Sequence, residues 1–230
     1  MDGLYQLLHQ LYDALIHLSP DSINAFVAAV GPVLSYAALF AIIFAETGLV
    51  VTPFLPGDSL LFAIGAVTAS SGSPIKLGTT LVLLIVAAIL GDAVNYAAGF
   101  FIGPRVFTSE KSRLLNKKHL MRAHEFYEKY GGLTIILARF MPIVRTFAPF
   151  VAGIARMSYP RFAIYNVVGG TAWVASFLVA GWGFGGLPAV QKNFHLVIGA
   201  IIVISVLPPI YEAIRVRMKK NGGGKGDPME

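Results

Sequence analysis

The sequence predicts an all-α integral membrane protein with about four transmembrane helices, two oppositely oriented re-entrant helical hairpins and an N-terminal amphipathic helix. Three observations carry this. Only 13% of the 230 residues are charged and 56% are hydrophobic, whereas a water-soluble domain carries roughly 25% charged residues. Several apolar runs reach the roughly 20 residues needed to cross a hydrocarbon core. Two further apolar runs, 52–69 and 133–157, are interrupted by prolines and charges.

The elements follow in chain order. Leu4, Leu7, Leu8, Leu11, Leu15 and Leu18 recur at helical spacing against Gln6, Gln10, Asp13 and His17. This amphipathic segment, within residues 1–30, lies in the membrane interface or packs on the domain's own edge. Residues 1–22 hold no Lys or Arg, so no cleaved signal peptide is expected. The membrane domain occupies 31–215, with simple spans at 77–103, 162–183 and 196–214 and a fourth at 32–51 that carries Glu46. Residues 216–230 form a basic tail whose Gly-rich end, from Asn221, is expected to be disordered.

The interrupted runs are read as hairpins. Pro53, Pro56 and Gly57 break the first, and Pro142 and Pro149 break the second, because each proline deletes a backbone donor. Non-helical backbone at membrane depth survives only where protein buries it or it lines a wet cavity. One broken segment in each half is the pattern of inverted-repeat transporters with midplane sites. The sequence echo is faint: Ala63-Ile64-Gly65-Ala66 against Ala152-Gly153-Ile154-Ala155.

Orientation follows from the basic residues. Residues 104–130 hold seven Lys/Arg, which places that loop in the cytoplasm. Both termini are then cytoplasmic, and 14 of the 18 basic residues fall inside, with only Lys76 and Lys192 outside. The net charge of +6 is thus explained by cytoplasmic loops, and no nucleic-acid partner is expected.

Five charged residues lie within apolar runs: Glu46, Asp58, Asp92, Arg139 and Arg145. Each costs about 2.5–3.5 kcal/mol at the bilayer centre unless paired. Arg139 and Arg145 flank Pro142, so a break there lets both guanidiniums converge, and two planar forks suit a phosphate. The rival reading pairs both arginines with Glu46 and Asp58 in salt bridges that only hold the fold. Asp58 is also placed to cap the helix that follows Gly57. Asp92, Asn95 and Tyr96 share one helix face, as an interhelical clamp or a proton relay, beside Gly91, Gly99 and Gly103, which allow close helix approach. Trp173, Trp182 and Tyr165 read as ordinary core or interface aromatics.

Other classes find no support. There is no cysteine, the five histidines lack metal-ligand spacing, and there is neither an ATP-binding P-loop nor an intramembrane Ser-His pair. The reading is a non-enzymatic transporter without metal or cofactor, driven by a gradient.

The segments FAETGLVVTPFLPGDSLLFAIGA, GDAVNYAAGFFIG and ILARFMPIVRTFAPFVAGIARMSYPRFAIYNVVGG resemble the DedA family of bacterial inner-membrane proteins. The resemblance covers about residues 30–215 and rests on Pro-Gly-Asp and Arg-Phe-x-Pro-x-x-Arg-Thr motifs. It implies the fold of the VTT-domain lipid scramblases, with two re-entrant hairpins. It implies a role in envelope and proton-motive-force homeostasis, and for some members the return of undecaprenyl phosphate to the cytoplasmic leaflet. It also implies that Glu46 and Asp58 form a functional acidic pair and that Arg139 and Arg145 are functional arginines. The expected partners are a membrane lipid (polyprenyl phosphate or phospholipid) and protons. The alternatives are a small-oxyanion importer or a non-transporting scaffold, and a homo-oligomer is left open.

Because the chain has no cysteine, introduced thiols report topology directly. A cysteine at Ser112 should resist a membrane-impermeant maleimide in intact cells, and one at Ser73 should react. Labelling at position 112 from outside inverts the orientation.

Overall fold

The computed structural model describes residues 19–49, 57–70, 72–106, 131–204 and 207. All described secondary structure is helical: α1 (Pro20–Gly48), α2 (Gly57–Ala69), α3 (Leu77–Val106), α4 (Leu133–Ala138), α5 (Pro142–Ile154), α6 (Tyr159–Phe184), α7 (Pro188–Lys192) and α8 (Phe194–Ile204). Three of these, α1, α3 and α6, are apolar and long enough to cross a membrane, and α2, α8 and most of α5 are shorter apolar helices. The amphipathic segment before residue 19, Pro53 and Pro56, the basic loop and the C-terminal tail lie outside the described residues.

Helix α1 starts twelve residues before the expected span at 32. Ser19 and Ser22 form a reciprocal capping box, with Pro20 in the first turn, so orphan N–H groups are satisfied there. Pro32 then interrupts the run. It disfavours helical geometry in the residue before it, and Gly31 absorbs the break at φ 80°, ψ 164°. This kink falls at the expected boundary between residues 30 and 31.

The second interrupted run matches its expectation in one half. Helix α4 stops at Ala138, Arg139 to Met141 form the break, and Pro142 opens α5. Pro149, read from sequence as a second break, lies inside α5 without ending it. Its ring removes only the bond that would have reached Arg145 C=O. Of the expected span at 196–214, the part up to 204 is helical as α8 (Phe194–Ile204), most of the remainder lies outside the described residues, and a short helix, α7, that the sequence did not announce precedes it.

The surface is apolar and the interior carries the charge. Val82, Val86, Leu90 and Val94 form an exposed stripe along α3, as do Ile164, Val168, Val179 and Trp182 on α6. Meanwhile Glu46, Asp58, Asp92, Arg139 and Arg145 are all buried. This inversion suits a hydrocarbon solvent, where only polar groups must hide.

Helix packing repeats one contact twice. A Cβ at Gly65 of α2 would strike Leu178 C=O of α6, and one at Gly181 would strike Phe62 C=O in return. A Cβ at Gly153 of α5 would strike Tyr96 C=O of α3, and one at Gly99 would strike Phe150 C=O. Backbones thus touch without side chains between them, the small-residue packing of membrane helices. Each short helix carries Phe-x-x-Gly (62–65 and 150–153), and each long one Ala-Gly-aromatic (180–182 and 98–100). Helices α2 and α5 are therefore equivalent parts, each locked to a long helix of the other half. Gly48 and Gly91 provide a further close approach between α1 and α3.

Gly65→Ala and Gly153→Ala should each destabilise the protein by about 1–3 kcal/mol through overpacking. Gly199→Ala, in open space within α8, should instead stabilise by about 0.5–1 kcal/mol. Thermal unfolding in detergent micelles checks all three, and equal effects would remove the special status of the two crossings.

Candidate functional site: two buried arginine clusters

Arg145 sits one turn into α5 and joins the ends of two other helices. Its Nη2 donates to Glu46 Oε1, near the C-terminus of α1, and its Nη1 donates to Asp58 Oδ1, in the first turn of α2, at 2.5 Å. Gly57 makes this geometry possible: a Cβ there would fall on the Glu46 carboxylate. From α6, Trp173 Nε1–H donates to the same Asp58 oxygen at 2.8 Å. The Trp173 ring also lies against the guanidinium, with Cζ 4.8 Å from its centroid, a cation–π contact strengthened by desolvation. Trp173, which the sequence assigned to ordinary core, is thus part of the cluster.

Arg139 occupies the break after α4 and takes different partners. Its Nη2 donates to Asp92 Oδ2 of α3 and to Asn166 Oδ1 of α6. Asn166 Nδ2 in turn donates to Ile89 C=O at 3.0 Å, which orients its oxygen toward the arginine. Gly169 and Gly170 flank the side chain, where added Cβ atoms would meet Arg139 Cδ at 3.3 Å and Cζ at 3.4 Å. The pairing of both arginines with Glu46 and Asp58 is therefore corrected: those carboxylates share Arg145, and Arg139 goes to Asp92.

An amide ties α3 to the Arg145 cluster. Asn95 Nδ2 donates to Thr47 C=O at 3.1 Å and to Thr146 C=O at 2.7 Å, the residues next to Glu46 and Arg145. Tyr96, the other residue on that face, donates its hydroxyl to Met157 C=O. Arg139 lies within electrostatic reach of Arg145. Both Nε atoms, Asn95 Oδ1 and Ser59 Oγ are buried without a hydrogen-bond partner among the described residues. Among the described residues, the two clusters together hold three carboxylates and two guanidiniums, an excess of one negative charge if all are ionised. Among the described residues, no group of three or more His, Cys, Asp or Glu could hold a metal.

Sequence reasoning named all five charges but missed Asn166, Gly169, Gly170 and Trp173. The signal was present. These residues recur at i, i+3, i+4 and i+7 on α6, so an amide, two glycines and a tryptophan share one face of an apolar helix.

Residues 55–183 match the VTT domain family. The chain is 51% identical to protein DedA of Escherichia coli over 91% of its own length and 94% of that protein's. The chain belongs to the DedA family. This DedA-family chain is also 44% identical to an uncharacterised membrane protein of Mycobacterium tuberculosis, over 83% of each. It is 33% identical to the inner membrane protein YqjA of Escherichia coli, over 83% of the chain and 87% of YqjA. No solved structure matches. The Pro-Gly-Asp and Arg-Phe-x-Pro-x-x-Arg-Thr segments singled out in the sequence contribute Gly57, Asp58, Arg139 and Arg145 to these two clusters.

Removing one partner of a buried ion pair strands the other. Arg139→Met and Asp92→Leu should each cost about 3–5 kcal/mol. The double variant should cost less than their sum by at least about 1 kcal/mol. Strict additivity in chemical unfolding of the purified protein would mean the pair does not interact.

Proposed function

We propose that this chain is a proton-coupled translocase for a lipid phosphate, either undecaprenyl phosphate or a phospholipid, in the bacterial inner membrane. In this reading 52–69 and 133–157 are re-entrant hairpins entering from opposite faces, and both termini lie in the cytoplasm. The observation that carries it is the unbalanced buried cluster: two arginines with unused Nε donors, held by three carboxylates.

A buried excess of one negative charge is costly, and one bound proton neutralises it. A phosphate that takes the guanidiniums displaces Glu46, Asp58 and Asp92 and adds negative charge of its own. Further protons on those carboxylates then restore neutrality. Phosphate arrival thus takes up protons, and phosphate release returns them. Arg supplies the fork that a phosphate needs, which a Lys at the same place lacks. The backbone break at Arg139 to Met141 lets the two arginines move relative to one another as partners change.

The dense satisfaction of the pairs favours a second reading, in which the charges only build the fold. Reconstitution into liposomes with labelled polyprenyl phosphate separates the two. Arg139→Lys and Arg145→Lys should abolish flipping while the protein still inserts and accumulates. Glu46→Gln should retain phosphate binding but lose the dependence of rate on an imposed pH gradient. Background flipping by the unmodified protein supports the scaffold, and inhibition by free inorganic anions supports the small-oxyanion importer. A wild-type rate unchanged when an ionophore collapses the gradient removes the coupling.

A further inference from the structure

We propose that this protein has a second anion site, apart from the buried clusters, that binds the phosphate of an anionic lipid at the membrane face with Arg156. The site is a cavity of about 410 Å³ lined by Tyr96, Phe100, Phe101, Arg156, Ser158 and Tyr159, among others. That volume lies in the range of small-molecule sites. None of the residues lining it belongs to either arginine cluster.

Its position fits a lipid. Phe100 and Phe101 stand at the end of the apolar stretch of α3, Leu77–Ile102, and Tyr159 begins α6. The cavity therefore sits where two spans end, the level at which aromatic rings and snorkelling arginines meet headgroups. Phe101 is 68% and Tyr159 54% exposed, so the apolar wall opens outward to acyl chains. Arg156 is exposed on the same cavity. Its guanidinium rests over the Phe100 ring, 5.6 Å from the centroid, and no carboxylate pairs with it among the described residues. A charged fork over an apolar floor calls for a ligand with a phosphate and a tail. Free phosphate would leave the aromatic wall unused.

The backbone adds an independent sign. Arg156 has φ 54°, the one positive φ among the described non-glycine residues. It closes α5 in a Schellman turn, with Arg156 N–H to Gly153 C=O at 3.0 Å and Met157 N–H to Ala152 C=O at 3.1 Å. Glycine usually fills that place because an L-residue is strained there. The arginine at this glycine-favouring position carries a conformational cost, and its side chain lines the cavity.

The same geometry supplies a clean variant. Arg156→Gly removes the guanidinium and relieves the left-handed strain, so it should fold with an equal or higher Tm. In the cysteine-free background, Ala97→Cys labelled with bimane places a reporter in the cavity wall. Nitroxide-bearing phosphatidylglycerol should quench it at about a fifth of the mole fraction required of nitroxide-bearing phosphatidylcholine, whose choline cation offsets its phosphate, the scale of one arginine facing a net-anionic headgroup. Arg156→Gly should abolish that preference, and inorganic phosphate should not reverse it. Equal quenching by the two lipids, a preference that survives Arg156→Gly, or displacement by inorganic phosphate would each overturn the lipid site. The readout is binding alone, so a failure of transport in liposomes leaves it intact.

Discussion

The structure hangs on the guanidinium of Arg145. An unpaired arginine at the bilayer centre costs about 2.5–3.5 kcal/mol on insertion scales, and this one meets Glu46, Asp58 and the Trp173 ring together. Those groups come from α1, α2 and α6, whose approach no apolar contact alone would orient. Hydrophobic matching gives helices little preference for one another in lipid, since lipid tails are equally apolar. One side chain with directional donors therefore decides where three helices meet. Asn95 extends the same constraint to α3 by closing on the backbone beside Glu46 and Arg145.

Much of this was legible in the sequence because charge inside an apolar run is a strong signal. Glu46, Asp58, Asp92, Arg139 and Arg145 stood out for that reason, and Pro142 marked the break between α4 and α5. Which arginine takes which carboxylate was not legible, because pairing depends on helix rotation, and apolar surroundings leave rotation unspecified. Trp173 was missed for a related reason: a tryptophan in an apolar span looks like packing until its N–H is seen on Asp58. Pro149 misled because a proline can sit within a helix where one carbonyl is left to other partners.

The matching helix crossings do not follow the register of the faint sequence echo. The echo Ala63-Ile64-Gly65-Ala66 against Ala152-Gly153-Ile154-Ala155 puts the glycines one residue out of step. The spatial equivalence is instead Phe62 and Gly65 with Phe150 and Gly153. Backbone contact set that register, since only a glycine at the crossing lets two carbonyl ladders touch. Short-range composition records such a constraint in single residues, too few to stand out in a chain with 24 glycines.

The crossings also impose an order of assembly. Helix α2 belongs to the first half of the chain but rests on α6, which ends 115 residues after α2 does. At ribosomal speeds the delay is on the order of ten seconds. For about the first two thirds of it Asp58 lacks Arg145, and Trp173 follows later still. Until α5 emerges, Asp58 is a carboxylate without its countercharge in a solvent that does not favour it. Helix α5, by contrast, finds α3 already in place. The nascent chain thus passes through a half-built stage in which its first half waits for partners that only the second half supplies.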